Sequence, residues 1–332
     1  MLVIDENKLK IRAIAVPFVS LVVPVYNEEE SIKLFINEVE KVLERKDLSY
    51  EILFINDGSS DNTLFQLFEY SRINHKIKII NLTRNFGKEA ALTAGLDQAK
   101  GDVVVPIDVD LQDPPAVILN FIEQWRKGYD VVYGIRSHRK SDSFRKRLSS
   151  TWFYNLFNRV SNHKIPENAG DFRLIDQSVM RAIRQLPERN RFMKGLFSWV
   201  GFATTHINYE RPARAAGNSK WNYWRLWNFA LDGLTGFSTI PLRVWTYIGM
   251  FVSLISFFYA LFIILRVSIL GIDIPGYASL MTMVLFFGGV QLLSLGIMGE
   301  YIGRIFIEVK SRPIYIVDCV YQQGQAVNQT ET

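Results

Sequence analysis

Residues 102–113, DVVVPIDVDLQD, constrain the fold more than any other stretch of this chain. Val103, Val104 and Val105, followed by Pro106 and Ile107, fill both faces of a short segment with apolar side chains. That is the pattern of a buried strand covered by helices on each side. The strand then runs out into acid. Asp108, Asp110 and Gln112 fall at a spacing of two, so an extended backbone would project their oxygens to one side, with Asp113 and the Pro114-Pro115 stop just beyond. Open α/β sheets bind ligands at the carboxyl ends of parallel strands, and oxygen donors suit a hard divalent cation such as Mg²⁺ or Mn²⁺. An ion so placed would bridge to a diphosphate. The same wording also serves a helix N-terminus capped by solvated acids, and the neighbouring elements decide between the two.

Those elements alternate. VSLVVPVY (19–26) reads as a first strand, and Asn27 to Ser31 open a helix to about Arg45 with acids in its first turn. Glu51 to Asn56 form a second strand, ending in a turn, Asp57 to Thr63, that caps another helix. Ile77 to Leu82 form a third strand, which runs into TRNFGK (83–88) and a small-residue helix ending near Gly101. The strand at 102–107 is therefore the fourth. A helix over 114–127, a strand over 130–133, a strand over 170–176 and a helix to about Leu186 follow. Strands and helices in this rhythm predict a parallel, doubly wound sheet. Tyr26-Asn27-Glu28, Asp57 and Asp108-Val109-Asp110 then share one rim.

A chain of 332 residues holds one full domain and something more. Hydrophobic residues make up 48% of it, concentrated toward the C-terminus. Residues 245–265 and 275–299 carry no charge, and about 20 residues suffice to cross a bilayer, so two transmembrane helices are expected. The N-terminus has early acids and no sustained apolar core, which argues against a secretory signal. Lys220, Arg225 and Arg243 flank the first span and Arg304, Lys310 and Arg312 follow the second. The positive-inside rule therefore puts the domain and both termini in the cytoplasm. One cysteine, Cys319, excludes an internal disulfide and fits a reducing compartment. His75, His138, His163 and His206 lack the spacing of a zinc site.

Two further stretches point to the membrane surface. Phe144, Leu148, Trp152, Leu156 and Val160 recur every four residues beside Arg145, Lys146 and Arg147, the signature of a basic amphipathic helix. Trp221, Tyr223, Trp224 and Trp227 mark a second, and interfacial aromatics behave this way. The net charge of +5 comes with no nucleic-acid motif, so anionic lipid is the simpler partner. Between the two stretches, residues 209–221 carry Arg211, Arg214, Lys220 and Gly217 in a loop composition that commonly clamps phosphate. The polar tail QQGQAVNQTET is expected to be disordered.

VPVYNEEE, NDGSSDNT, NFGKEAALTAG, DVDLQDPP, GDFRLID and ARAAGNSKW, in that order, resemble a glycosyltransferase family 2 enzyme of the dolichyl-phosphate mannose synthase type. The two spans and the NAGDFRLID wording bring the chain nearest to the bacterial polyisoprenyl-phosphate (bactoprenol) glucosyltransferases. The resemblance runs from Val19 to Pro313. It implies a GT-A fold, an α/β domain with a Rossmann-like, mostly parallel sheet. The organisation is then an extension (1–16), the GT-A domain (17–215, including an amphipathic helix at about 143–160), a juxtamembrane amphipathic helix (216–240), two spans (241–300) and a tail (301–332). It also implies inverting transfer of a sugar, glucose from UDP-glucose by the closest wording, to polyprenyl (undecaprenyl) phosphate, and assembly as a homo-oligomer, a tetramer being one form. GDP-mannose, UDP-N-acetylglucosamine or a UDP-aminoarabinose donor, or a non-catalytic nucleotide-sugar-binding scaffold, remain alternatives.

Carried over by position, Pro24, Tyr26, Glu28 and Asp57 would hold the uracil and ribose. Asp108 would contact the nucleotide near the metal, and Asp110 and Gln112 would ligate Mg²⁺ or Mn²⁺ through the diphosphate. Asp171 matches the acid beside the sugar, and Arg136, Arg145, Ser149, Arg211, Arg214 and Lys220 stand for the acceptor phosphate. Lys88 reads as a residue at a helix start and stays outside the site. A phosphate monoester has a second pKa of about 6 and arrives at neutral pH mostly as the dianion. No strong base is then required, and Asp171 is expected to orient rather than to abstract a proton.

Overall fold

The computed structural model describes residues 12, 16–44, 48–136, 169–189, 191, 193–210, 240–270 and 276–327. Strands and helices alternate at first: β1 (Val19–Val25), α1 (Ile32–Leu43), β2 (Tyr50–Asn56), α2 (Thr63–Ile73), β3 (Ile77–Leu82), α3 (Lys88–Gln98), β4 (Val103–Pro106) and α4 (Val117–Arg126). There follow β5 (Val131–Arg136), β6 (Ala169–Asp176), α5 (Gln177–Arg184), α6 (Met193–Trp199) and β7 (Thr204–Tyr209). The chain ends with α7 (Ile240–Leu270), α8 (Tyr277–Lys310), β8 (Val317–Gln322) and β9 (Gln325–Val327).

The described strands build one nine-stranded sheet in the order β7-β5-β6-β4-β1-β2-β3-β8-β9. Its centre, β4-β1-β2-β3, is parallel as expected. Its flanks are mixed: β6 runs antiparallel to both β4 and β5, and β8 antiparallel to β3, whereas β5 and β7 are parallel. The expected mostly parallel sheet is therefore corrected to a mixed one. An apolar run looks the same in either direction, so residue pattern alone does not orient β6.

Side-chain alternation along the central strands feeds two cores. Val19, Leu21 and Val23 point with Ile52 and Phe54 toward α1, α2 and α4, while Val22, Leu53 and Ile55 point toward α3, α5 and α6. Pro24 sits in a central strand without harm. The Val22 carbonyl receives Ile107 N on the β4 side, and β4 has already ended where Pro24 would next donate on that side. Gly95 brings α3 close, since a Cβ there would stand 2.4 Å from Val22 Cγ1 and 2.6 Å from Ile55 Cδ1.

Several local expectations change. Helix α1 starts after Ser31 and has no acid in its first turn, because Glu28 and Glu29 belong to the preceding turn and bond across to the next loop. Strand β7 was not anticipated; its Thr, His and Asn residues alternate between exposed and half-buried and lack an apolar signal. The tail expected to be disordered instead contributes to β8 and β9, joined by a hairpin whose Gln323 and Gly324 take φ of 53° and 70°, and its residues 328–332 lie outside the described ones. Backbone pairing with β3 supplies what the composition lacks, and Tyr321 packs edge-on against Phe68 at 5.7 Å. The N-terminal extension is tied in as well, with Arg12 ion-paired to Asp130 and Asp176 and stacked on Trp125.

The C-terminal helices α7 and α8 touch each other. Among the described residues, 286–310 are long and apolar enough to cross a membrane, with a mean hydropathy of 1.3, and α7 holds a shorter apolar stretch over 247–259. Phe251, Phe258, Leu292 and Phe306 on these helices are more than half exposed. The amphipathic helices expected at about 143–160 and 216–240 lie outside the described residues. In the core on the α4 side of the sheet, Phe121 is fully buried and its ring lies 4.9 Å from that of Phe172. Phe121→Ala should cost about 3–5 kcal/mol, read as a lowered melting temperature in detergent with a hexahistidine-tagged but otherwise intact chain.

Candidate active site

The loops after β1 and β2 are laced together at the carboxyl rim. Asn27 takes a left-handed φ of 53°; its N–H donates to Ser59 Oγ at 3.0 Å and its Oδ1 accepts from Ser60 N at 2.8 Å. Glu28 N donates to Thr63 Oγ1 at 2.9 Å, and Glu29 Oε2 accepts from Asn62 N at 3.0 Å. Tyr26 stands at the rim with 38% of its surface exposed, and Pro24 is half-buried in β1. Of the residues expected to hold a nucleoside, Pro24 lies in β1, and Tyr26 and Glu28 lie on the loop that follows it, pinned to the loop that begins at Asp57.

Asp57 is buried, and its two oxygens accept from Phe86 N at 2.7 Å and Gly87 N at 2.9 Å. Burial pushes its carboxyl above the usual range, against those two bonds and the nearby Arg84. Its visible task is to hold the 83–88 loop, which leaves the second lone pair of each oxygen for a ligand. Gly58 lets the loops close: its φ is 66°, and a Cβ would fall 2.5 Å from Arg84 C. A chain of amides reaches this place from the tail. Asn81 Nδ2 donates to Asp318 Oδ2 at 3.0 Å, Asn56 Nδ2 to Asn81 Oδ1 at 2.7 Å, and Ser59 N to Asn56 Oδ1 at 3.3 Å.

The acidic stretch is a turn rather than a strand. Strand β4 ends at Pro106, so the alternation expected to align Asp108, Asp110 and Gln112 does not apply beyond it. A left-handed residue, Leu111 at φ 56°, turns the chain between Asp110 and Gln112, and Gln112 N donates to Asp110 Oδ1 at 3.1 Å. A non-glycine residue in that region is strained, and such strain clusters at functional sites. Asp113 anchors the turn from below, buried and accepting from the Tyr209 hydroxyl of β7.

Gln112 Oε1 is buried and has no hydrogen-bond donor among the described residues. A buried oxygen without a donor is costly, and a cation satisfies it. Among the described residues no three His, Cys, Asp or Glu side chains cluster as a metal cage. The donor set at this turn is instead two carboxylates and an amide, which fits a divalent ion that completes its shell with phosphate oxygens.

Lys88 joins this turn to Asp171. Its ammonium lies 2.7 Å from Asp108 Oδ1 and 3.1 Å from Asp171 Oδ2. Partial desolvation works against that charge, but the two acids outweigh it and hold the amine well above its ordinary range. The antiparallel course of β6 accounts for the meeting. Val104 faces Ile175, so the residues preceding Ile175 return toward the carboxyl end of β4, where Asp108 follows. Sequence reading placed both acids in the site and left out the lysine between them. Its signal was the glycine before it, Gly87 at φ 99°, which starts a helix at the rim.

Of the residues expected at the acceptor phosphate, Arg136 ends β5 opposite Tyr209 of β7. Arg145, Ser149, Arg211, Arg214 and Lys220 lie outside the described residues.

Comparison with known proteins adds the decisive observation. The glycosyl transferase family 2 profile matches residues 20–184, and the chain is 53% identical over 299 residues to the SfII prophage-derived bactoprenol glucosyl transferase of Shigella flexneri, covering 90% of this chain and 97% of that protein. The chain belongs to glycosyltransferase family 2. A GtrB C-terminal hairpin profile also matches residues 240–305, the span of α7 and most of α8. An uncharacterized glycosyltransferase of Synechocystis sp. is likewise 53% identical, over 90% of this chain and 94% of its own length. Among solved structures, glucosyl-3-phosphoglycerate synthase from Mycobacterium tuberculosis with Mn²⁺, UDP and phosphoglyceric acid is similar at 17% identity. It has a TM-score of 0.47, covering 66% of this chain and 76% of that one.

In this family 2 chain, Asp57→Asn places an amide donor against a backbone donor at Phe86 or Gly87. The substitution should cost about 1–3 kcal/mol and speed amide exchange at residues 86 and 87, followed by hydrogen-exchange mass spectrometry.

Proposed function

We propose that this protein is an inverting, metal-dependent glycosyltransferase with a GT-A catalytic domain, moving glucose from UDP-glucose to polyprenyl phosphate at the cytoplasmic face of a membrane. The observation that carries the reading is the convergence, on one sheet rim, of Asp108 and Asp171 around Lys88, beside a turn that presents Asp110 and the undonated Gln112 Oε1. The names of the bactoprenol glucosyl transferases that match over nine-tenths of the chain support glucose and a polyprenyl acceptor.

The chemistry follows from charge. A sugar leaves a nucleoside diphosphate only as negative charge builds on the departing oxygens. A divalent cation, Mg²⁺ or Mn²⁺, bound at this turn would supply Lewis-acid stabilisation of that charge. Asp110 and Gln112 would hold it, with Asp108 nearby on the nucleotide side. Pro24, Tyr26, Glu28 and Asp57 would frame the uridine, Pro24 from β1 and Tyr26 and Glu28 from a loop that is already fixed. The acceptor phosphate arrives ionised, so the protein's task is to bring two anions into line. We assign the acceptor to Arg136, Arg145, Ser149, Arg211, Arg214 and Lys220, and the orientation of the sugar to Asp171.

The exposed apolar faces of α7 and α8 support two spans, with the sheet and both termini cytoplasmic by the distribution of Arg and Lys. Gly288, Gly289, Gly296 and Gly299 on α8 have nothing within 4 Å of an added Cβ, and small residues favour close helix packing in membranes. That supports a homo-oligomer, a tetramer among its forms. The test is purified full-length protein in detergent with undecaprenyl phosphate and UDP-glucose, UDP-N-acetylglucosamine or GDP-mannose, with product mass and anomeric configuration as readout. A β-configured hexosyl product from UDP-glucose, abolished by EDTA and restored by Mg²⁺ or Mn²⁺, is expected. Transfer from a different donor overturns the sugar assignment, and EDTA-resistant turnover overturns metal dependence.

A further inference from the structure

We propose that Lys88 is a positioning residue of the transfer reaction, fixing Asp171 against Asp108 so that the acid beside the sugar is held in register with the donor's diphosphate. The inference rests on the reading above and adds a residue and a role to it.

Two features argue that the lysine is placed for turnover rather than for folding. Its side chain is 39% exposed, and the acids it pairs with are 35% and 27% exposed. Ion pairs that open to water contribute little to stability. It is also the first residue of α3, where the helix dipole favours anions and opposes a cation. A lysine kept there against the helix is held by what it meets, and it meets two carboxylates from separate strands. Asp108 and Asp171 face each other across the place where β4 has stopped pairing with β6. The β4–β6 ladder pairs Val103 with Asp176 and Val104 with Ile175, several residues short of the two acids, and like charges drive them apart.

The lysine is itself fixed from behind. Gly87, immediately before it, donates its N–H to Asp57 at 2.9 Å, and Ala90 and Ala91 N–H groups return to the Gly87 carbonyl at 3.1 and 3.0 Å. Asp57 belongs to the nucleoside end and Asp171 to the sugar end, and Lys88 lies on the short path between them. The Gly87 N–H and the Lys88 ammonium, on successive residues, thus tie Asp57 to Asp108 and Asp171. Only a group long enough to span both acids, and charged, performs that task.

The experiment is a mutant cycle on the full-length protein with Lys88→Met, Lys88→Arg, Asp171→Asn and the Lys88→Met/Asp171→Asn double variant. Turnover, UDP affinity by calorimetry with Mn²⁺, and melting temperature are measured for each. Lys88→Met should lower kcat about 100-fold while UDP affinity stays within about threefold and the melting temperature within a few degrees. Lys88→Arg should recover at least a tenth of wild-type turnover. In the Asp171→Asn background, Lys88→Met should cost no more than about twofold further, because a residue acting through another is non-additive with it.

A Lys88→Met enzyme within threefold of wild-type kcat overturns the inference. So does a loss of UDP affinity as large as the loss of kcat/KM, which would make the lysine a phosphate ligand. Fully additive losses in an active enzyme overturn this inference alone, whereas wild-type inertness toward every nucleotide sugar overturns the proposed function and this inference with it.

Discussion

Two carboxylates meeting across the end of a strand set the terms for the rest of this molecule. Asp108 leaves the parallel half of the sheet and Asp171 enters on the antiparallel strand β6. Two carboxylates brought this close repel each other even where water reaches them. Lys88 answers it, with its ammonium within ion-pair distance of both. The loops around it follow from the same demand. Gly87 must turn through a left-handed φ to start α3 at that spot, Asp57 must hold Gly87, and Gly58 must be small enough for the Asp57 loop to lie against Arg84.

Much of this was legible in the residues. The strands at 19–25, 50–56, 77–82 and 103–106 announced themselves as short β-branched runs, and their polar carboxyl ends named the rim that the structure assembles. What stayed hidden was direction and long-range pairing. Nothing in GDFRLID says that β6 runs backward, yet only that direction sets Asp171 level with Asp108. Spacing-two logic brought Asp108, Asp110 and Gln112 together on the assumption of a strand, whereas Leu111 turns the chain there. Lys88 was passed over because a lysine at a helix start has a commonplace explanation, and only its two partners make it otherwise.

The tail shows the same limit from the other side. Composition argued for disorder, because Gln322 to Val327 bury almost nothing by themselves. A sheet edge changes the balance, for β3 offers a row of backbone partners and β8 takes them. The returning chain also fastens to the site's supports. Thr83 N donates to the Ile316 carbonyl at 3.1 Å, the Tyr315 hydroxyl to Asp97 of α3 at 2.9 Å, and Arg189 N to the Glu308 carboxylate near the end of α8 at 2.9 and 3.0 Å. The long apolar helix and the catalytic rim are thereby parts of one continuous hydrogen-bonded body.

The most direct measurement is anomalous diffraction from crystals of the protein soaked with Mn²⁺ and UDP. A single manganese peak in inner-sphere contact with Asp110 and Gln112 Oε1, with the diphosphate on it and Lys88 still beside Asp171, is what the charge arrangement predicts. Nucleotide bound with its ion on other residues, or with no ion at this turn, contradicts it.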